Sequence, residues 1–359
     1  MRIILNCINI RVNYNLNPAV EKMKNLRLVP LIVIASFVSG LSQAAEEVNV
    51  YSYRKPQLIQ PMFDEFTSQT GIAVNVVFAK KGMLEKLQSE GSNSPADLVF
   101  TVDIGRLSDI KNAELTQEVV SETLSSNIPE NMRDTENHWF GLTSRARIIV
   151  ASKDRVVEGE VSSYEDLTKP ELEGRICTRS GKHAYMVALS AAMIAHHGVE
   201  EAEAWLGGVK ANLARTPEGN DRAQVKAIKE GVCDVAVINH YYMYQMLIDE
   251  EQIAWAESVN VIFPNQADRG THMNISGMAM TRHAPNKENA LALMEFLSGE
   301  QAQQMYAELN GEYAVMPGIP LADKVEAWGE FKQDDLNLTE VAANRAEASK
   351  MADRVGYDN

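Results

Sequence analysis

Ile72-Ala73-Val74-Asn75-Val76-Val77-Phe78 is a short β-branched, apolar run bounded by Gly71 and by the polar pair Lys80-Lys81. Its length and composition read as a strand. On its N-terminal side, residues 56–71 carry Leu58, Ile59, Met62, Phe63 and Phe66 at helical spacing, and Gly71 supplies the stop. On its C-terminal side, residues 82–90 read as a second helix. Beyond these helices lie two more strands, Val48-Asn49-Val50-Tyr51-Ser52-Tyr53 and, after Pro95, Leu98-Val99-Phe100-Thr101. The order is β-α-β-α-β, which opens a doubly wound α/β unit.

Further out the pattern changes. His138-Trp139-Phe140-Gly141-Leu142-Thr143 and Arg147-Ile148-Ile149-Val150 read as long strands with no helix between them, suited to crossing into a second unit. That unit would hold strands at 175–178 and 235–239 and helices at 185–197, 200–211, 221–230 and 242–250. Asn274-Ile275-Ser276-Gly277-Met278-Ala279-Met280 reads as the return strand, followed by helices at 286–297 and 300–309 and a helical remainder. The expected architecture is α/β, a two-lobed clamshell with each lobe a sheet flanked by helices. One lobe spans 45–145 plus 276–320 and the other 146–275, with a helical tail at 321–359 packing on both. A ligand would lie in the cleft between the lobes, at strand C-termini and helix N-termini.

The length of 359 residues, 45% of them hydrophobic, fits two domains at about 150 residues each. Lys24 and Arg27 precede an apolar stretch over 28–41, and Ser42-Gln43-Ala44 follows. This is the order of a secretory signal, with the cut near Ala44. The run is too short to span a bilayer comfortably. Residues 1–22 lack signal character, so Met23 is the expected start and 1–44 the leader. That leader carries five basic residues (Arg2, Arg11, Lys22, Lys24, Arg27) and one acid (Glu21). Removing those four net positive charges takes the formal charge from −15 to −19. An exported acidic protein with no global basic footprint is not expected to bind nucleic acid. Cys7 leaves with the leader. Cys177 and Cys233, each at the opening of a buried strand, would form a disulfide in an oxidising compartment or remain as two buried thiols.

The sequence has no G-x-S-x-G, H-E-x-x-H, Walker A or G-x-G-x-x-G motif. His196-His197 are adjacent on a helix and point in different directions, which does not suit a shared metal. Asp97 and Asp103 flank the third strand and are read as loop polar groups. The distinctive feature is tyrosine placement. Tyr241-Tyr242 follow a strand and open a helix, and Tyr185 follows the loop Arg179-Ser180-Gly181-Lys182-His183 and opens another. From this pattern alone, three tyrosines anchoring loops is the stronger reading. Were they to converge, their phenolates would be hard anionic oxygens suited to a hard ion such as ferric iron. Binding would release protons, so affinity would fall with pH.

The chain from about residue 48 onward resembles the ferric-iron-binding proteins of bacterial ABC importers, the FbpA, FutA and IdiA type. The resemblance is carried in order by Val48 to Arg54, Ser94-Pro95-Ala96-Asp97, Thr101-Val102-Asp103-Ile104 and Trp139 to Arg147. It continues through Gly219-Asn220-Asp221, Asn239-His240-Tyr241-Tyr242, Phe263-Pro264-Asn265-Gln266 and Arg269 to Gly277. It implies a two-lobed periplasmic binding fold, no enzymatic activity, and a monomer that captures ferric iron and hands it to an inner-membrane ABC permease and its ATPase. It implies Tyr185, Tyr241 and Tyr242 as metal ligands. Many family members have a histidine after the first strand, where this chain has Tyr53-Arg54-Lys55-Pro56. Tyr53, water or a small anion such as carbonate would then complete the shell. Arg54 would pair with that anion, and Arg145 would offset phenolate charge; an ordinary salt bridge is the other reading of each. Closure would hinge near 143–151 and 273–280. Two other readings stand beside this one. A binder of a small organic or inorganic anion would use Arg54, Lys55 and Arg145. An exported metal-dependent hydrolase would need a base and an open metal position, for which no motif is present.

Overall fold

The computed structural model describes residues 46–359. The export signal, the Met23 start, the cut near Ala44 and Cys7 lie outside the described residues.

The opening unit forms as the periodicity predicts: β1 (Glu47–Ser52), α1 (Gln60–Thr70), β2 (Ala73–Phe78), α2 (Met83–Glu90) and β3 (Leu98–Thr101). α1 buries Met62, Phe63 and Phe66 and ends where Gly71 turns left-handed at φ 78°, its N–H donating to the Thr67 carbonyl. Two helices follow that the sequence reading left out, α3 (Ile104–Asn112) and α4 (Glu122–Asn127). Each has a side-chain cap, Asp103 accepting from the Arg106 N–H and Ser121 from the Leu124 N–H. Asp97 and Asp103 thus serve the backbone. Asp97 is buried and accepts from the N–H groups of Asn49 and Asn286.

The two strands expected around 138–150 are one 13-residue strand, β4 (Phe140–Ser152), buried along its whole length. After it come β5 (Ile176–Cys177), α5 (Ala184–His197), α6 (Val199–Ala211), α7 (Asp221–Lys229), β6 (Val235–Asn239), α8 (His240–Leu247) and α9 (Ile253–Ala256). Then follow β7 (Val259–Ile262), β8 (Met273–Met280), α10 (Lys287–Ser298) and α11 (Glu300–Asn310). The expected helical remainder is only partly helical. β9 (Tyr313–Ala314) and irregular chain precede α12 (Asp323–Glu326) and the long α13 (Leu338–Arg354).

β4 organises the sheet, whose order is β2-β1-β3-β8-β4-β6-β5. Its first half pairs antiparallel with β8, with a register shift between Gly141 and Thr143; its second half pairs antiparallel with β6 and β7. The β1–β2, β1–β3 and β5–β6 pairings are parallel. In the second half, Ile148, Val150, Ala236 and Ile238 pack into one apolar cluster, whereas Ile149, Ala151, Val235 and Val237 pack into another. Both faces are covered, which explains unbroken apolar runs where alternation would be expected of a half-exposed sheet. Each fully buried Val or Ile contributes roughly 1.5–3 kcal/mol. Cys177 on β5 and Cys233 just before β6 are joined, with an Sγ–Sγ distance of 2.04 Å and Cα atoms 5.9 Å apart.

Candidate metal centre

β6 ends at Asn239 and α8 begins at His240, two residues before the expected start, so Tyr241 and Tyr242 lie in the first turn of α8. The corner is fixed by its neighbours. Nδ1 of the fully buried His240 accepts from the Ala146 N–H at 3.1 Å. Its Nε2 donates to the Gly311 carbonyl at 2.9 Å, and its ring stacks on Tyr313. Burial holds this imidazole down to about 3, so it stays neutral. The Asn239 N–H donates to Asp221 at 3.0 Å. Tyr185, the second residue of α5, is set by its own N-cap: Nδ1 of His183 accepts from the Tyr185 N–H at 3.2 Å. His183 packs edge-on against the Tyr185 ring. Desolvation, then Arg179 and Arg147, bring His183 down to about 4.

These two corners bring the three phenols together. The hydroxyls of Tyr185 and Tyr241 are 3.2 Å apart, and the rings of Tyr241 and Tyr242 lie 4.3 Å apart. All three line a cavity of about 410 Å³ that also receives Arg54, Arg145 and Glu312. Desolvation, then the neighbouring phenols Tyr185 and Tyr242, push Tyr241 well above the ordinary phenol range. Desolvation, then Tyr185 and the Asp221 carboxylate, raise Tyr242 as well. This crowding favours the protonated form of Tyr241 and Tyr242 in the absence of a cation.

Arginines surround the trio. The guanidinium carbons of Arg179, Arg145 and Arg147 lie 5.2, 5.4 and 5.8 Å from the Tyr185 ring centre. Arg147 and Arg179 both bond the fully buried Asp221, Arg147 at 2.6 Å. Arg145 donates to Ser276 Oγ at 3.1 Å and to the Val102 carbonyl. Arg54 was expected to meet an anion. Its guanidinium instead meets Glu312 at 2.6 Å and Thr143 Oγ1 at 3.2 Å, with both charged residues nearly fully buried. Arg54 is matched by Glu312, and Arg147 and Arg179 share Asp221, so two of the four guanidinium charges have no carboxylate partner; Lys55 also lines the cavity.

Tyr53 also lines the cavity, but the structure does not bring its oxygen to the other three. The hydroxyl accepts from the N–H groups of Met83 and Leu84, each at 3.1 Å. The reason is local. Gly82, at the N-cap of α2, has no side chain to satisfy the first N–H groups of that helix, and the phenol takes its place. Arg106 covers the Tyr53 ring at 4.3 Å.

Sequence reasoning missed Glu312 and the role of Asp221. Asp221 stood in a recognisable stretch, Gly219-Asn220-Asp221, but nothing in the sequence pairs it with Arg147 and Arg179. Gly311-Glu312-Tyr313 carries no motif at all. Among the described residues, no group of three or more histidines, cysteines or carboxylates gathers as a metal site. His196 and His197 go to separate partners, Asp334 and Glu165. A larger concavity of about 950 Å³ around Phe263 and Trp328 has no tyrosine, histidine or cysteine in its lining. The tyrosine cavity is where hydroxyl oxygens meet, those of Tyr185 and Tyr241, with the Tyr242 ring beside them.

The family model described as bacterial extracellular solute-binding protein matches residues 93–333. Iron uptake protein A1 of Synechocystis is 41% identical over 315 residues, 87% of this chain and 88% of that protein. Apo ferric ion-binding protein A of Pasteurella haemolytica superposes with a TM-score of 0.83 at 52% identity, covering 88% of this chain and 99% of that one. The Trichodesmium protein called IdiA or FutA, solved with iron and citrate ligands, superposes with a TM-score of 0.84 at 42% identity, covering 87% and 99%.

Proposed function

The chain belongs to the bacterial extracellular solute-binding proteins and has their two-lobed α/β fold, and from this we propose that it is the periplasmic component of an ABC iron importer. It captures ferric iron through the phenolates of Tyr185, Tyr241 and Tyr242, as a monomer, and delivers it to the inner-membrane permease driven by its ATPase. Its relatives are named for binding and uptake rather than for a reaction. The observation that carries the reading is the meeting of the Tyr185 and Tyr241 hydroxyls at 3.2 Å on the wall of the cleft, with Tyr242 alongside. Three phenolates match the charge of one ferric ion, and their hard oxygens suit a hard ion.

The two uncompensated positive charges around the trio favour a small anion beside the iron. Carbonate fits that role, and the Trichodesmium relative was solved with citrate. Arg145 is the cation for such an anion, because Glu312 already neutralises Arg54. The same pairing weighs against an anion as sole cargo. The lobes in this reading are 45–145 plus 276–320 and 146–275, with 321–359 packed on both. Iron is taken by the 146–275 lobe, and closure about β4 and β8 excludes water. The test is a visible spectrum with ferric iron. A red to orange phenolate band is expected, weakened or shifted in Tyr241→Phe. A colourless parent at saturating iron would falsify the reading.

A further inference from the structure

We infer that Tyr357 and Asp358, which follow α13, are positioning residues for the metal loop, an inference that rests on the ferric reading above. The loop Arg179-Ser180-Gly181-Lys182-His183 joins β5 to α5, leads into Tyr185 on the cavity wall and places Arg179 over its ring. Asp358 grips its middle. One carboxylate oxygen accepts from Ser180 Oγ at 2.7 Å and the other from the Gly181 N–H at 2.8 Å. Tyr357 grips its start. Its fully buried ring has its hydroxyl 2.9 Å from Thr178 Oγ1. The ring lies so close to Gly181 that an added Cβ there would stand 2.7 Å from it. Glycine is therefore required for contact, not for a turn.

The grip is passed on to the phenol. The Ser180 carbonyl accepts from the His183 N–H at 3.0 Å, and His183 caps the Tyr185 N–H. Metal-site geometry depends on such outer contacts as well as on the donors themselves. α13 is also docked on α6, by Arg354 on Glu203 at 2.6 Å, while its Asp353 pairs with Lys182 of the loop. Arg354 itself bonds Glu203 and Glu347 and no loop residue, so Arg354→Ala removes a helix contact and leaves the loop's own bonds in place.

The experiment compares Asp358→Ala, Asp358→Asn and Arg354→Ala in the full mature chain. Asp358→Ala is expected to speed amide exchange over 180–185 in the metal-free protein. It should also weaken ferric binding about tenfold, the low end of the roughly 10- to 100-fold cost of losing a group that orients a metal ligand. Asp358→Asn keeps an acceptor for the Gly181 N–H and recovers most of the loss. Arg354→Ala lowers the melting temperature and leaves loop exchange and ferric binding unchanged. Unaltered loop exchange in Asp358→Ala, or an equal loss of ferric binding in Arg354→Ala, overturns the inference. A parent that takes up no ferric iron instead sinks the reading of the site, and the exchange data alone then decide whether Asp358 holds the loop.

Discussion

Replacing Tyr241 by Phe removes one oxygen and keeps the ring. Without metal the loss is one hydrogen bond, to Tyr185 at 3.2 Å, worth about 1 kcal/mol, and the fold should stand. With ferric iron the loss is larger. Desolvation and then the two neighbouring phenols raise Tyr241 well above its ordinary value of 10.0. Displacing its proton at pH 7 therefore costs more than about 4 kcal/mol, at 1.36 kcal/mol per pH unit. Only a strong metal–oxygen bond offsets that cost. Partners one step removed from a metal already cost about 10- to 100-fold when lost, so loss of a direct donor should exceed about 100-fold. The proton count is the sharper measure. Three phenols give up three protons per ferric ion, so log affinity should fall with decreasing pH at a slope of about 3, and at about 2 in Tyr241→Phe. The assay is a pH-stat record of protons released as iron passes from ferric citrate to the protein. The citrate contribution cancels in the difference between parent and variant. Equal proton release from the two proteins would refute the assignment of Tyr241 as a ligand.

Glu312→Ala leaves the Arg54 guanidinium buried without its counter-charge and should cost about 3–5 kcal/mol in urea unfolding, while Arg54→Met with Glu312→Leu recovers much of it; a single variant as stable as the parent would show the pair to be dispensable. Cys177→Ser with Cys233→Ser opens a closed loop of sequence separation 56 and should lower stability by about 4 kcal/mol on the chain-entropy relation, read as a lower urea midpoint. Burial, reinforced by Arg147, His196, Arg145 and Arg269, brings His272 down to about 3 from 6.5. The folded chain then binds fewer protons than the unfolded chain between those values, so this contribution is intact above 6.5 and is lost as pH falls towards 3, by roughly 2 kcal/mol at pH 5. His272→Phe should accordingly show a smaller drop in melting temperature between pH 7 and pH 5, and equal drops would contradict the argument.

The strands and helices that bury one regular face were readable from spacing alone, as in Met62, Phe63 and Phe66 on α1 or the apolar run of β6. The short helices α3 and α4 were not, because their signal lay in the capping residues Asp103 and Ser121 rather than in a long periodic stretch. β4 was read as two strands with Ser144-Arg145-Ala146 between them. What lets the polar Arg145 stay buried within one strand is Val102, Ser276 and Tyr185, which come from elsewhere in the chain. The same distinction holds at the site. The strand-to-helix and loop-to-helix corners singled out Tyr185, Tyr241 and Tyr242 by a local cue, although that pattern alone favoured loop anchors and the ligand reading came from the family resemblance. Tyr53 was one candidate, beside water or a small anion, to complete the shell where the family has a histidine, yet its oxygen is claimed by α2, whose own cap is a glycine. The ion pairs Arg54–Glu312 and Arg147–Asp221 join residues 258 and 74 positions apart, and no local pattern encodes them.

β4 is a single unbroken strand shared by both halves of the sheet, and a tether of that kind has no slack. Any bending must be spread over consecutive backbone torsions, and Arg145 stands among them. Its guanidinium is moored to Val102 and Ser276 and faces the Tyr185 ring. Under the proposed ferric reading, movement of the jaws would thereby be geared to the placement of one positive charge beside the cargo, like a balance whose beam carries its own counterweight.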